Sequence, residues 1–233
     1  QKQYFTSVIP EETINNFQEA GIRFIAGDAA FLNDETLSVN GNRIQAKFFI
    51  LATGAKPMQL PIEGQEHVIT SDDFLDMDAL PPSICFIGGG FISFEFAHFA
   101  ARLGAANQHS VILEAADSPL GTFDSEMVEL LVAASKAEGI DVRNSVEIEA
   151  IEKHAKGFSV RTANDGSFET NLVVHGAGRV PVLDTLQLNA AGIEFSKRGI
   201  TVDQTLRTSN RRVFAVGDCA ATIQLARVAD QEA

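Results

Sequence analysis

Three small residues and one acid carry the clearest chemistry in this 233-residue sequence. Gly88, Gly90 and Ser93 follow a G-x-G-x-x-S spacing, and Glu114 stands 21 residues beyond Ser93. Glycine at 88 permits a tight turn, and Gly90, lacking a Cβ, lets a pyrophosphate approach the backbone. The N–H groups of Phe91, Ile92 and Ser93 open the helix that follows; their unpaired donors and the helix dipole favour bound phosphate. Ser93 takes the place usually held by Gly or Ala, and serine is small enough to keep the helix close to the strand. Glu114 lies near the spacing at which a carboxylate accepts from the hydroxyls of an adenosine ribose. The AADSPL that follows holds no Lys or Arg to meet a 2′-phosphate, which Glu114 would repel, so NADH is expected over NADPH. A βαβ unit that packs a sheet without a ligand is the plainer alternative.

These residues need elements to hold them. The apolar run 84–87 reads as a buried parallel strand because it is continuous rather than alternating, and 111–113 as a second strand. An amphipathic helix and a turn lie between them, so 83–114 reads strand, glycine loop, helix, strand, acid. Upstream, Pro10-Glu11-Glu12 opens a helix that Gly21 closes. Short β-like runs at 22–26, 28–32, 36–39 and 43–46, turned at Asn33-Asp34 and Asn40-Gly41-Asn42, read as an antiparallel meander. The meander leads into an apolar strand at 48–52. Thr70-Ser71-Asp72-Asp73 reads as a helix N-cap, and Leu80-Pro81-Pro82 as the best linker. Beyond Glu114, a second helix spans 125–138 with Met127, Leu130, Leu131 and Ala134 on one face, and a third parallel strand begins at 140–142. Runs at 145–154, 158–162 and 167–169, turned at Asp165-Gly166, form another meander, and 172–175 returns as a strand. After a stretch read mostly as loop, 213–216 is an apolar strand that stops at Gly217-Asp218. The fold class expected is α/β, as two interleaved domains.

Apolar residues make up 45% of the chain, enough for substantial cores. The net charge of −13, with Lys and Arg scattered, argues against nucleic acid or an anionic membrane as partner. Cys85 and Cys219 have no CxxC or metal-ligand spacing, so no metal site is expected. Cys85 reads as a small core residue, and Cys219 as a thiol without a nearby partner. No apolar run approaches the ~20 residues of a membrane span, no signal peptide precedes the first element, and a reducing, cytoplasmic setting is expected.

ILATGAKP, SICFIGGGFISFEFA, GAGRVP and GITVDQTLRTSNRRVFAVGDCA occur in that order. At those separations they resemble the pyridine nucleotide–disulfide oxidoreductases, flavoproteins of the glutathione reductase, dihydrolipoamide dehydrogenase and mercuric reductase type. The resemblance covers nearly the whole chain. It implies a Rossmann-like NAD(P)-binding domain, with a parallel sheet and an antiparallel meander, at 78–177. That domain would be inserted in a partial FAD-binding α/β domain of the same type, at 1–77 and 178–233. The activity implied is hydride transfer from NADH to FAD and on to a small-molecule or protein disulfide or similar acceptor, in a homodimeric parent.

The resemblance also implies roles. Ala52, Thr53 and Gly54 match the ATG loop that lies against FAD. Gly217 and Asp218 match the GD motif, whose acid binds the flavin's ribityl chain; on local sequence alone Asp218 is a turn acid. Gly178 and Arg179 match the GR loop beside the two cofactors. Phe91 matches the aromatic that lids the nicotinamide pocket, and reads equally as a first-turn core aromatic. Glu95, the only charge in 84–101, needs a partner if buried. In relatives a glutamate here faces the nicotinamide side of the flavin and pairs with a lysine, which makes Glu95 the one candidate catalytic residue; the alternative is a helix acid with no role.

The chain also departs from the family pattern. Relatives begin with their own glycine loop for FAD and a helix carrying a Cys-x-x-x-x-Cys redox pair, and end with a dimerisation domain supplying a His–Glu pair. Neither is present in these 233 residues, which read as a central fragment, inactive alone. The five histidines match none of those contexts, and His98 reads as a packed or rim residue. The rival readings are an NADH oxidase or metal-ion reductase of the same family, or an NAD-binding module without catalysis.

Overall fold

The computed structural model describes residues 4, 6–104, 109–164 and 166–233. The chain divides into two compact units, Gln1–Ala55 with Pro181–Ala233, and Lys56–Val180.

The first unit opens with α1 (Ile9–Glu19), where Pro10 presets the helical φ and Glu11 and Glu12 meet the positive end of the dipole. β1 (Ala29–Asn33), β2 (Thr36–Val39) and β3 (Asn42–Gln45) form the antiparallel meander, with Phe31 opposite Leu37 and Leu37 opposite Ile44. β4 (Phe49–Leu51) follows, and β5 (Ala55–Pro57) spans the division at 55/56.

In the second unit, α2 (Ser71–Asp76) is started by a capping box. Asp73 N–H donates to Thr70 Oγ1 at 3.3 Å, and Thr70 N–H donates to the Asp73 carboxylate at 2.8 Å. Next come β6 (Ser83–Ile87), α3 (Phe91–Leu103), β7 (His109–Leu113), α4 (Ser125–Ala137) and β8 (Ile140–Arg143). The chain then forms β9 (Ile148–His154), β10 (Gly157–Thr162), β11 (Gly166–Thr170), β12 (Leu172–His175) and β13 (Arg179–Pro181). Four of these strands make a parallel sheet in the order β12-β6-β7-β8.

Alternation decides what each face meets. Ile84, Phe86, Ile112 and Val174 enter a core with Phe74 of α2 and Phe94, Ala97 and Ala100 of α3. Cys85, Ile87, Val111, Leu113 and Val173 enter a second core with Leu60, Val146, Ile151 and Val160, the last two from the β9–β10–β11 meander. Both faces of the sheet are covered, which is why its strands read as unbroken apolar runs.

The first unit resumes with β14 (Phe195–Ser196), β15 (Gly199–Ile200), β16 (Val213–Ala215) and α5 (Ala226–Glu232). β16 pairs in parallel with β4, Val213 opposite Phe49. Phe49, Leu51, Val213 and Ala215 pack with Phe31, Leu186, Ile193 and Ile200. The stretch read mostly as loop thus contains buried residues and a 3-10 turn at Leu188–Ala191.

Three expectations change. The apolar face expected on α4 is not the packed one: Met127, Leu130 and Ala134 are exposed, and the helix packs through Val128, Leu131, Val132 and Ser135. Residues 22–26 form no strand; Ile22, Phe24 and Ile25 are exposed and meet no ladder partner among the described residues, and a β-prone run is a strand only when paired. The compact units divide at 55/56 and 180/181, not at 77/78 and 177/178. Residues 56–77 pack into the second unit: Ile69 N–H donates to Val173 O, His175 N–H donates to Ile69 O, and Phe74 lies in the core with Phe86. The expected turn between α3 and β7, at 105–108, and Asp165 of the Asp165-Gly166 turn lie outside the described residues. Among the described residues no helix is long and apolar enough to cross a membrane.

Candidate dinucleotide site

β6 ends in a glycine loop that only glycine can build. Gly88 has φ +90°, and a Cβ there would fall on Ala177. Its N–H donates to Leu113 O at 2.7 Å. Gly89 carries as much of the packing, although the G-x-G pattern leaves it free: a Cβ would lie 2.6 Å from Pro119 Cβ and 2.9 Å from Glu114 Oε2. Gly90 is the N-cap of α3, with no side-chain cap, and a Cβ on it would lie 3.1 Å from Gly176 O. The first-turn N–H groups of Phe91, Ile92 and Ser93 therefore have no intrahelical acceptor, and no acidic side chain lies in that turn.

Ser93 is fully buried, and its hydroxyl has no partner among the described residues. It occupies the place where a Cβ of residue 176 would be, so the extra oxygen at 93 is answered by a glycine at 176. Glu114, half-buried at the end of β7, accepts Gly89 N–H on Oε2 at 2.6 Å and Ala116 N–H on Oε1 at 2.7 Å. Gly88, Gly90, Ser93 and Glu114 are thus brought together at the carboxyl ends of β6 and β7, where open parallel sheets bind ligands. An uncapped 13-residue helix, a loop closed to a Cβ at Gly88 and Gly89 and tight at Gly90, and an oriented carboxylate fit a pyrophosphate joined to a ribose.

Phe91, Glu95, Gly178 and Arg179 are the other candidates in this unit. Phe91 is 50% exposed and Glu95 is also exposed, so the condition that made a buried partner necessary for Glu95 does not hold. Gly178 has φ +117°, and its carbonyl accepts Met58 N–H at 3.2 Å; Arg179 is half-buried. His175 donates from Nε2 to Met58 O at 2.7 Å. Burial pushes its pKa below the usual 6.5, the Met58 carbonyl opposing and Arg179 adding. His98 pairs through Nε2 with Ser135 Oγ at 3.0 Å. Burial lowers its pKa too, Arg102 adding and Glu138 opposing. The Cys85 thiol is pushed far up by burial and is inert.

The first unit holds the remaining candidates at the carboxyl ends of β4 and β16. Thr53 Oγ1 donates to Val182 O at 2.8 Å, Val182 N–H donates to Gly54 O at 2.9 Å, and Gly54 has φ +67°. Ala52 and Thr53 are exposed. Leu51 O accepts Val216 N–H at 3.0 Å and the Cys219 thiol at 3.3 Å, tying the 52–54 loop to the Gly217-Asp218 turn. Gly217, φ +65°, donates its N–H to Glu232 Oε2 at 2.7 Å, and Asp218 O accepts from Gln224 Nε2 at 3.1 Å. The half-buried Asp218 carboxylate has no partner among the described residues and so is available to hydroxyl donors. Nothing local in the sequence marks Glu232 or Gln224. Among the described residues no three His, Cys, Asp or Glu are grouped to hold a metal ion.

The pyridine nucleotide-disulphide oxidoreductase family matches residues 6–233. A glutathione reductase of Burkholderia cepacia is 34% identical over 216 residues, which cover 92% of this chain and 47% of that protein. A mercuric reductase of Staphylococcus aureus is 30% identical over 228 residues, 95% of this chain and 41% of that one. Among solved structures, the HOCl-induced flavoprotein disulfide reductase RclA of Escherichia coli matches with a TM-score of 0.89 at 25% identity, over 97% of this chain and 52% of that one. The chain spans roughly half the length of these relatives. Motif order, split architecture and a match from residue 6 to residue 233 agree: the chain belongs to the pyridine nucleotide-disulphide oxidoreductase family.

Proposed function

We propose that the whole protein is an FAD-dependent oxidoreductase in which a hydride passes from NADH to FAD and two electrons then reduce a disulfide or similar group. The observation that carries this reading is Glu114, held beside the uncapped start of α3 at the carboxyl end of the parallel sheet. The nicotinamide supplies the hydride and the flavin relays its electrons. The chain's own residues bind and orient. In the second unit the N–H groups of Phe91, Ile92 and Ser93 hold the pyrophosphate that Gly88 and Gly90 admit, and Glu114 accepts from the adenosine ribose. Phe91, Glu95, Gly178 and Arg179 border the nicotinamide end. In the first unit Ala52, Thr53 and Gly54 line the flavin, Gly217 sets the turn, and Asp218 accepts from the ribityl hydroxyls.

NADH is the donor rather than NADPH, because a 2′-phosphate would meet the Glu114 carboxylate with no Lys or Arg in 115–120 to offset it. A glutathione reductase and a mercuric reductase resemble the chain to a similar degree, so the acceptor is drawn no more narrowly than a disulfide or similar group. By the same resemblance the whole protein is a homodimer. The two free, buried cysteines of this chain suit a reducing, cytoplasmic setting.

Fluorescence titration tests the donor, and NADH is expected to bind at least about tenfold tighter than NADPH. Equal affinities would overturn the assignment. Anaerobic NADH added to the FAD-loaded full-length protein is expected to bleach the flavin absorption. A flavin that stays oxidised with NADH bound would instead mark a nucleotide-binding module without catalysis.

A further inference from the structure

We propose that Glu114 is a positioning residue that holds the glycine loop in its phosphate-binding shape; that the loop binds a pyrophosphate rests on the reading above. Both carboxylate oxygens are engaged by backbone donors, Oε2 by Gly89 N–H at 2.6 Å and Oε1 by Ala116 N–H at 2.7 Å. The neighbouring loop groups are also tied to the same strand and the segment after it. Gly88 N–H donates to Leu113 O at 2.7 Å, and Gly89 O accepts Leu120 N–H at 3.0 Å. Gly88 and Gly89 are thereby committed, while the N–H groups that open α3 stay free for a ligand. The Gly89 bond reaches across 25 residues of sequence, so no local turn substitutes for it.

The carboxylate is packed against the loop rather than extended into solvent, since Oε2 lies 2.9 Å from where a Cβ of Gly89 would stand. Each oxygen that accepts one N–H keeps a further lone pair, so ribose hydroxyls can still donate to it. Bonds to both oxygens prevent the group from turning away from the loop. Replacing Glu114 alone should therefore loosen the pyrophosphate loop and weaken binding of the diphosphate itself, apart from any contact with the ribose.

The test uses the unmodified chain, Glu114→Ala and Glu114→Gln, titrated calorimetrically with ADP and with 2′,3′-dideoxy-ADP. The dideoxy compound keeps the pyrophosphate and lacks both hydroxyls. Amide hydrogen exchange at Gly89, with Phe86 of β6 as a folding control, is measured without ligand. The alanine variant is expected to bind dideoxy-ADP about tenfold more weakly than the unmodified chain, with the glutamine variant between them. Gly89 exchange should rise by at least about tenfold while Phe86 exchange is unchanged. Where the unmodified chain binds dideoxy-ADP, equal affinity in the alanine variant overturns the positioning role, and unchanged Gly89 exchange overturns it in every case. Faster Gly89 exchange in a chain whose unmodified form binds neither nucleotide upholds the positioning role and overturns the NADH reading.

Discussion

At the scale of single residues, the contact between Ser93 and Gly176 makes the sharpest demand. A methyl added at 176 falls on the buried Ser93 hydroxyl, so Gly176→Ala is expected to lower stability by about 1–3 kcal/mol through overpacking. Ser93→Ala in the same chain should restore most of that loss, because what then remains at the position is the residue 93 Cβ at 3.2 Å and Ile87 O at 3.3 Å. Denaturant midpoints for the parent, both single variants and the double variant close the cycle. Additive effects would show that the two side chains do not meet. The G-x-G-x-x-S spacing identifies 93 as a position for a small residue, but the glycine that accommodates its oxygen lies on another strand's end and is invisible to local pattern. Gly89 is the converse case: it stands in plain view inside GGG, yet its need is set by Glu114 and Pro119 from beyond β7.

At the scale of elements, α3 and α4 are joined through His98 and Ser135. Ser135 Oγ donates to Leu131 O at 2.8 Å, which leaves His98 Nε2 as the donor in their shared bond. A proton on Nδ1 would be buried with no acceptor among the described residues. His98 and His175 both have folded pKa values below the ordinary 6.5, so the unfolded chain takes up protons at a higher pH than the folded one. Stability is therefore complete above about pH 6.5 and is lost as pH falls from there through the lower folded values. Thermal midpoints between pH 5 and 8 should decline on the acid side, and His98→Gln and His175→Gln should each flatten that slope. An unchanged slope in both variants would assign the acid loss to other groups. Element boundaries were legible where burial is two-sided: 84–87 and 111–113 carry unbroken apolar runs because helices cover one face of the sheet and the meander the other. The run 22–26 has similar composition and is not a strand, because pairing depends on a partner that its own residues do not specify.

At the scale of the whole molecule, proline at 81 and 82 suggests a boundary that the packing does not respect. Residues 56–77 supply Leu60 to one core of the second unit and Phe74 to the other, with Ile62, Val68 and Ile69 packed beside them. Their backbone is bonded to the same unit through Ile69 with Val173 and His175, and through Glu63 O, which accepts Ile151 N–H at 2.9 Å. A chain cut to 56–180 keeps the sheet, both cores, the glycine loop and Glu114, and is expected to unfold cooperatively and to bind NADH within a few-fold of the 233-residue chain. A chain cut to 78–177 keeps the loop and Glu114 as well, but loses Leu60, Phe74 and their neighbours. Two fully buried side chains alone contribute roughly 3–6 kcal/mol, a large part of what a domain of this size has to spare. The shorter piece should therefore lack a cooperative transition and bind NADH weakly. Calorimetric unfolding and NADH fluorescence on the two pieces settle where the unit ends: equal stability would return the boundary to Leu80-Pro81-Pro82 and make 56–77 a strap laid over a domain already complete.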